Sequence, residues 1–134
     1  MKAVFADSFF YIAYLDRRDA WHRRVHEQSR GRSDFHITTR WVLAETANAL
    51  SSPRTRTAAG EFLEQVERDP GTVIIEPGEA SFREGWRLWR SRPDKEWSLT
   101  DCVSFAVMKE RGLSEALTRD HHYTQAGFRL LFSD

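Results

Sequence analysis

Short apolar runs alternate along this chain with longer stretches of helical spacing, and that alternation restricts the fold more than any other feature. The runs are Met1 to Phe5, Phe35 to Thr38, Thr72 to Ile75, Ser114 to Thr118 and Phe128 to Phe132. Thr72 to Ile75 is the cleanest strand candidate, a β-branched run closed by Pro77-Gly78. Helical spacing marks FFYIAYL after Asp7, then Ala20 to Ser29, Arg40 to Leu50, Thr57 to Arg68, Glu79 to Trp89 and Leu99 to Glu110. Pro53, Asp69-Pro70-Gly71 and Gly112 supply stop signals. Strands alternating with helices, often helix pairs, predict an α/β domain around a mostly parallel sheet. Function in such sheets gathers at the carboxyl ends of the strands.

Four acids stand at such places or in apolar surroundings. Asp7 follows the first strand, and Asp120 follows the strand SEALT. Glu45 interrupts WVLAETANAL, a helix otherwise almost free of charge, and Asp101 opens the apolar helix in WSLTDCVSFAVM. Each has a plain structural reading. Asp7 suits a helix cap, Asp120 an Asx-turn, and Ser98-Leu99-Thr100-Asp101 has capping-box spacing. Glu45 is harder to explain in this way, because burying an acid without a partner is costly. Four carboxylates converging on one site would repel, and would persist only with a divalent metal or with some of them protonated. Oxygen ligands without cysteine or clustered histidine favour magnesium or manganese over zinc.

Composition narrows the surroundings. The chain has 134 residues, enough for one domain with its own core, and 20 basic residues balance 20 acidic ones. A generic polyanion binder is therefore not expected, although Arg17, Arg18, Arg23, Arg24, Arg30 and Arg32 lie close together. A salt-bridged, solvated helix face is the simplest reading of that cluster. The single cysteine, Cys102, excludes an internal disulfide and fits a reducing compartment; inside an apolar run it reads as a small buried hydrophobe. No apolar stretch is long enough to span a bilayer and the first residues read as a strand, so a cytoplasmic protein is expected.

The ordered set of strand–Asp7-Ser8, VLAETANAL, SLTDCVSFAVMKERG and ALTRDHHYTQAGF resembles the PIN-domain ribonucleases, in particular the VapC type, the toxin half of a bacterial toxin–antitoxin pair. The resemblance covers nearly the full chain. It implies a three-layer fold with a central, mostly parallel sheet of four or five strands flanked by helices. It also implies a metal-dependent endoribonuclease using Mg2+, with Mn2+ as a substitute. The family's acidic quartet maps onto Asp7, Glu45, Asp101 and Asp120 as catalytic and metal-binding residues, and its supporting hydroxyl onto Ser98 or Thr100. The implied partners are RNA as substrate, a cognate antitoxin whose extended tail covers the acidic cleft, and a second copy in a homodimer.

Other features carry less. His22 and His26 have a zinc-like spacing but no third ligand nearby. His121 and His122 follow Asp120 and could contact phosphate or sit in an exposed turn. Trp86 and Trp89, interleaved with arginines, could stack bases, but at helical spacing they read as core or subunit interface. The aromatic opening, Phe9, Phe10, Tyr11, Tyr14 and Trp21, offers surface for a partner beyond what a core needs. Three rivals remain: a receiver-type signalling domain, for which this sequence lacks the paired acid at the first strand and a lysine after SEALT; a catalytically silent PIN-like RNA-binding domain; and a nucleotide-binding module, for which it lacks a glycine-rich phosphate loop.

Overall fold

The computed structural model describes residues 2–133; Met1, where the first expected strand begins, lies outside the described residues. Strands β1 (Ala3–Ala6), β2 (Phe35–Thr39), β3 (Thr72–Ile75), β4 (Glu115–Leu117) and β5 (Arg129–Leu130) form one parallel sheet in the order β3-β2-β1-β4-β5. Helices α1 (Ser8–Leu15) and α2 (His22–Arg30) join β1 to β2, and α3 (Arg40–Ala49) and α4 (Arg56–Arg68) join β2 to β3. Helices α5 (Glu79–Ser91) and α6 (Leu99–Glu110) then carry the chain back across the sheet to β4, and α7 (His121–Gln125) leads to β5. Right-handed crossovers running in opposite directions put the two sets of helices on opposite faces. The resulting α/β architecture is three-layered, as expected from the resemblance.

A strand covered on both faces reads as a continuous apolar run. Central β1 does so, with Val4, Phe5 and Ala6 all inaccessible. Phe5 pairs with Ile37 on one side and Ala116 on the other. The chain leaves β1 towards β2 but returns to β4 on the other flank, so the sheet reverses its winding between β1 and β4. That switch point is where an open α/β sheet forms its crevice.

Helix α6 is fixed against α5 by a close backbone approach. A Cβ at Gly85 would lie 2.7 Å from Val103 Cγ2 and 2.9 Å from Val103 Cα, so only glycine fits there. The opposite side of α5 is open. Trp86 and Trp89 are 37% and 44% exposed, stacked with ring centroids 5.4 Å apart, so neither belongs to the core of this chain.

Several boundaries differ from the sequence reading. Helix α2 begins at His22 rather than Ala20, because Asp19 Oδ1 accepts from the Trp21 N–H and holds a turn first. Strand β5 is only Arg129–Leu130, entered from Gly127 at φ +96°, a conformation that costs glycine little. Helix α7 was not anticipated; five residues are too few to display a helical period.

Candidate active site

Asp7 and Thr118 end the two strands that flank the switch point. Asp7 occupies the position before α1, yet its side chain makes no capping hydrogen bond. Instead Thr118 Oγ1 donates to Asp7 Oδ2 at 3.0 Å. Thr38 Oγ1 donates to the Ala6 carbonyl at 2.8 Å, and Thr39 caps α3 by accepting from Val42 N. The carboxyl edge of the sheet is thus floored by threonine hydroxyls. Asp7 is 5% exposed, and its pKa is raised to about 7, first by burial and then by the charges of Asp101 and Glu45. The Thr118 hydroxyl and the Ser8 backbone N–H pull in the other direction.

Asp101 is both a cap and a site acid. Ser98 Oγ accepts from Asp101 N at 3.0 Å, and Asp101 Oδ2 accepts from Ser98 N at 3.3 Å, which completes the capping box. Its pKa is nevertheless raised, by burial first and then by Asp120 and Glu45. Glu45 is half-buried, and Ser8 Oγ donates to its Oε1 at 2.5 Å. Asp120 caps α7 by accepting from His122 N at 2.9 Å, while its own N–H donates to Thr118 Oγ1 at 3.1 Å. Asp7 feels the charges of Asp101 and Glu45, and Asp101 those of Asp120 and Glu45, so the four carboxylates share one electrostatic neighbourhood, while the tight group of ligand atoms among the described residues is Asp120, His121 and His122.

The two candidate hydroxyls have different places. Ser98 is exposed and engaged in the capping box, whereas Thr100 lines an open cleft with Arg40, Trp41, Glu45 and Asn48. Sequence reasoning missed Thr118 and Tyr123 and left His122 undecided. His122 Nδ1 lies 3.4 Å from Asp101 Oδ2 and 3.3 Å from Asp120 Oδ1. The Tyr123 hydroxyl is wholly buried, and Asp7 and Ser104 are polar neighbours, but none of the described residues meets hydrogen-bond geometry with it. Its pKa lies far above the ordinary value through burial, with Asp7 and Asp101 adding to the shift.

The donor set suits a divalent cation. Asp7 and Asp101 hold their protons more tightly than ordinary carboxylates, so a cation that neutralises them relieves both burial and repulsion. Cys102 contributes nothing here: it is buried, and its thiol is pushed up to about 11 by burial and then by Asp101. His22 and His26 are used structurally, with His22 Nδ1 2.8 Å from the Ala13 carbonyl and His26 Nε2 2.7 Å from that of Tyr14. Among the described residues, no helix is long and apolar enough to cross a membrane.

Comparison with known proteins agrees with this geometry. The PIN domain family pattern matches residues 4–129. The 23S rRNA-specific endonuclease VapC20 of Mycobacterium tuberculosis is 30% identical over 129 residues, covering 93% of this chain and 95% of that protein. The crystal structure of M. tuberculosis VapC20, described as a sarcin-ricin loop cleaving toxin, superposes with a TM-score of 0.86 at 23% identity, covering 93% of this chain and 95% of that one. FitAcB from Neisseria gonorrhoeae gives a TM-score of 0.69 at 18% identity, covering 96% of each chain. A toxin–antitoxin complex from Klebsiella pneumoniae gives 0.62 at 14% identity, covering 88% of this chain and 87% of that one. The chain belongs to the PIN-domain family, as a member of its VapC type.

Proposed function

We propose that this PIN-domain protein is a divalent-metal-dependent endoribonuclease, the toxin of a type II toxin–antitoxin pair, and that Asp7, Glu45, Asp101 and Asp120 form its catalytic and metal-binding site. The observation that carries this reading is the electrostatic convergence of the four acids at the switch-point crevice of a PIN fold. RNA is the favoured substrate class because a relative at 30% identity is named as an rRNA-specific endonuclease.

Asp7 and Asp101 are the principal ligands, with Glu45 and Asp120 completing the set. When bound, Mg2+ or Mn2+ supplies Lewis acidity at the scissile phosphate and lowers the pKa of a bound water towards neutrality. The chain's own residues fix the acceptors in advance. Thr118 holds Asp7, the capping box holds Asp101, Ser8 holds Glu45, and Asp120 is held by the turn it caps. Such preorganisation removes the need to reorder four repelling side chains when substrate arrives. Thr100 sits beside Glu45 on the open side of the cleft, where it can donate to a phosphate oxygen; Ser98 supports the site through Asp101.

A homodimer and an antitoxin whose tail enters the acidic cleft accompany this reading. Phe10 and Tyr11, expected at the partner surface, are buried in the core; only the partly buried Phe9, Tyr14 and Trp21 remain as the rings offered to the antitoxin. The test is cleavage of RNA by the purified chain with added Mg2+ or Mn2+ and its arrest by EDTA. RNA retention without cleavage would favour the catalytically silent PIN-like module instead.

A further inference from the structure

Two imidazoles enter a site that the sequence presents as carboxylates alone. Asp120, His121 and His122 each bring one ligand atom within 4.8 Å of the others. His122 also reaches across to Asp101, so its Nδ1 stands between the third and fourth acids, 3.4 Å from one and 3.3 Å from the other. Charge-assisted N–H···O bonds are shorter, about 2.7–2.9 Å. Donors on adjacent corners of an octahedral ion with bonds of about 2.1–2.2 Å stand about 3 Å apart. The spacing at His122 is thus long for a salt-bridging hydrogen bond and close to that of neighbouring ligands. His122 and Asp101 have side chains only 18% and 13% exposed, so the position between them is sheltered, whereas His121 is 72% exposed and peripheral. Beside this corner the Tyr123 hydroxyl is wholly buried near Asp7, Asp101 and Ser104, and among the described residues none meets hydrogen-bond geometry with it.

We infer that His122 is a nitrogen ligand for the divalent ion at Asp101 and Asp120, and that it tilts this corner of the site towards Mn2+ over Mg2+. Magnesium prefers an all-oxygen shell and gives up water reluctantly, while imidazole suits transition ions; a mixed set of two carboxylates and one imidazole therefore favours manganese among the ions that accept carboxylate. The inference rests on the reading that these acids hold a cation. His121, exposed beside Asp120, is at most an outer contact.

The experiment is Mn2+ titration into the full chain, followed by electron spin-echo modulation of the bound ion. Wild type is expected to show nitrogen-14 modulation from a directly bound imidazole. His121→Gln should keep it and His122→Gln should lose it. Removing even an outer-shell partner costs about 10–100-fold in metal affinity, so His122→Gln should lower Mn2+ affinity at least tenfold while Mg2+ affinity, read by competition, falls far less. The wild-type spectrum decides the matter even if the variant folds poorly. An oxygen-only spectrum in wild type, or modulation that persists in His122→Gln, overturns the assignment of His122. If RNA cleavage is then still arrested by EDTA, the nuclease reading stands without it. If wild type binds no Mn2+ and Asp101→Asn changes nothing, both readings fall.

Discussion

The hydroxyl of Thr118 donates to the carboxylate of Asp7 at 3.0 Å, tying the carboxyl end of β4 to that of β1 across the switch point of the sheet. This bond stabilises the charged form of Asp7, but burial outweighs it, and the folded pKa stands at about 7 against an ordinary 3.8. Between those two values the folded chain keeps a proton that the unfolded chain has released. The contribution of Asp7 is therefore least unfavourable below pH 3.8, falls as pH rises, and levels off above about 7. In EDTA, denaturation midpoints should show wild type losing about 2–3 kcal/mol from this group between pH 5 and pH 7.5. Asp7→Asn should remove that part of the slope. A slope unchanged by the substitution would mean that Asp7 ionises normally. Thr118→Val should cost about 1–3 kcal/mol and move the window upward, because the carboxylate loses its neutral donor.

Asp101 separates capping from metal binding in one substitution. Ser98 is the N-cap of α6 and Asp101 its N3 partner, accepting from Ser98 N through Oδ2; the Asn amide oxygen can accept the same bond, so Asp101→Asn keeps α6 intact. Relief of repulsion from Asp120 and Glu45 should leave metal-free stability level or higher. Wild type should gain about 2.7 kcal/mol at a hundredfold excess of ion over its dissociation constant, and the variant much less. Melting curves with and without Mg2+ or Mn2+ make the comparison; equal gains would return Asp101 to the role of a cap.

Gly85 governs how α6 is seated. Gly85→Ala would gain about 1 kcal/mol of helix propensity, but it drives a methyl group to within 2.7 Å of Val103 Cγ2 and 2.9 Å of the Val103 backbone. Overpacking typically costs about 1–3 kcal/mol, so the variant should melt below wild type. A higher melting temperature would show that the two helices separate freely.

The partly buried Trp21, just before α2, bears on the proposed antitoxin. Trp21 packs edge-on to Phe9 at 5.9 Å, with the guanidinium carbons of Arg24 and Arg119 4.2 Å and 4.5 Å from its centroid. Interface tryptophans often contribute about 2 kcal/mol or more, so Trp21→Ala should weaken binding of the proposed cognate antitoxin at least tenfold. The same affinity in a variant with a native circular-dichroism spectrum would place the partner elsewhere.

What could be read in the sequence follows from range. The strand–helix alternation is written in local periodicity, and so are the capping box at Ser98 and Asp101 and the turn at Asp120. The acids were visible because carboxylates at strand ends or inside an apolar helix call for an explanation. Thr118 was not visible, since its partner Asp7 is 111 positions away and only the parallel pairing of β1 with β4 brings them together. Ser8 was quoted only as a neighbour of Asp7; its bond to Glu45 depends on α1 lying beside α3. His122 looked like part of a turn because its approach to Asp101 needs α7 packed against α6. Trp86 and Trp89 read from helical spacing as core or subunit interface; at 37% and 44% exposed they are not core, and local spacing alone does not separate the two readings.

Cleavage of an end-labelled RNA, with the new termini identified, tests the central claim most directly. Attack by water on phosphorus with departure of the 3′ oxygen leaves a 5′-phosphate and a 3′-hydroxyl, whereas attack by the neighbouring 2′-hydroxyl leaves a cyclic phosphate. Cleavage is expected with Mg2+ or Mn2+, giving 5′-phosphate products, and is arrested by EDTA. Asp7→Asn and Asp101→Asn should each lower the rate at least a hundredfold, about 2.7 kcal/mol of transition-state stabilisation. Cleavage that survives chelation, or cyclic-phosphate products from wild type that persist in both variants, would contradict it.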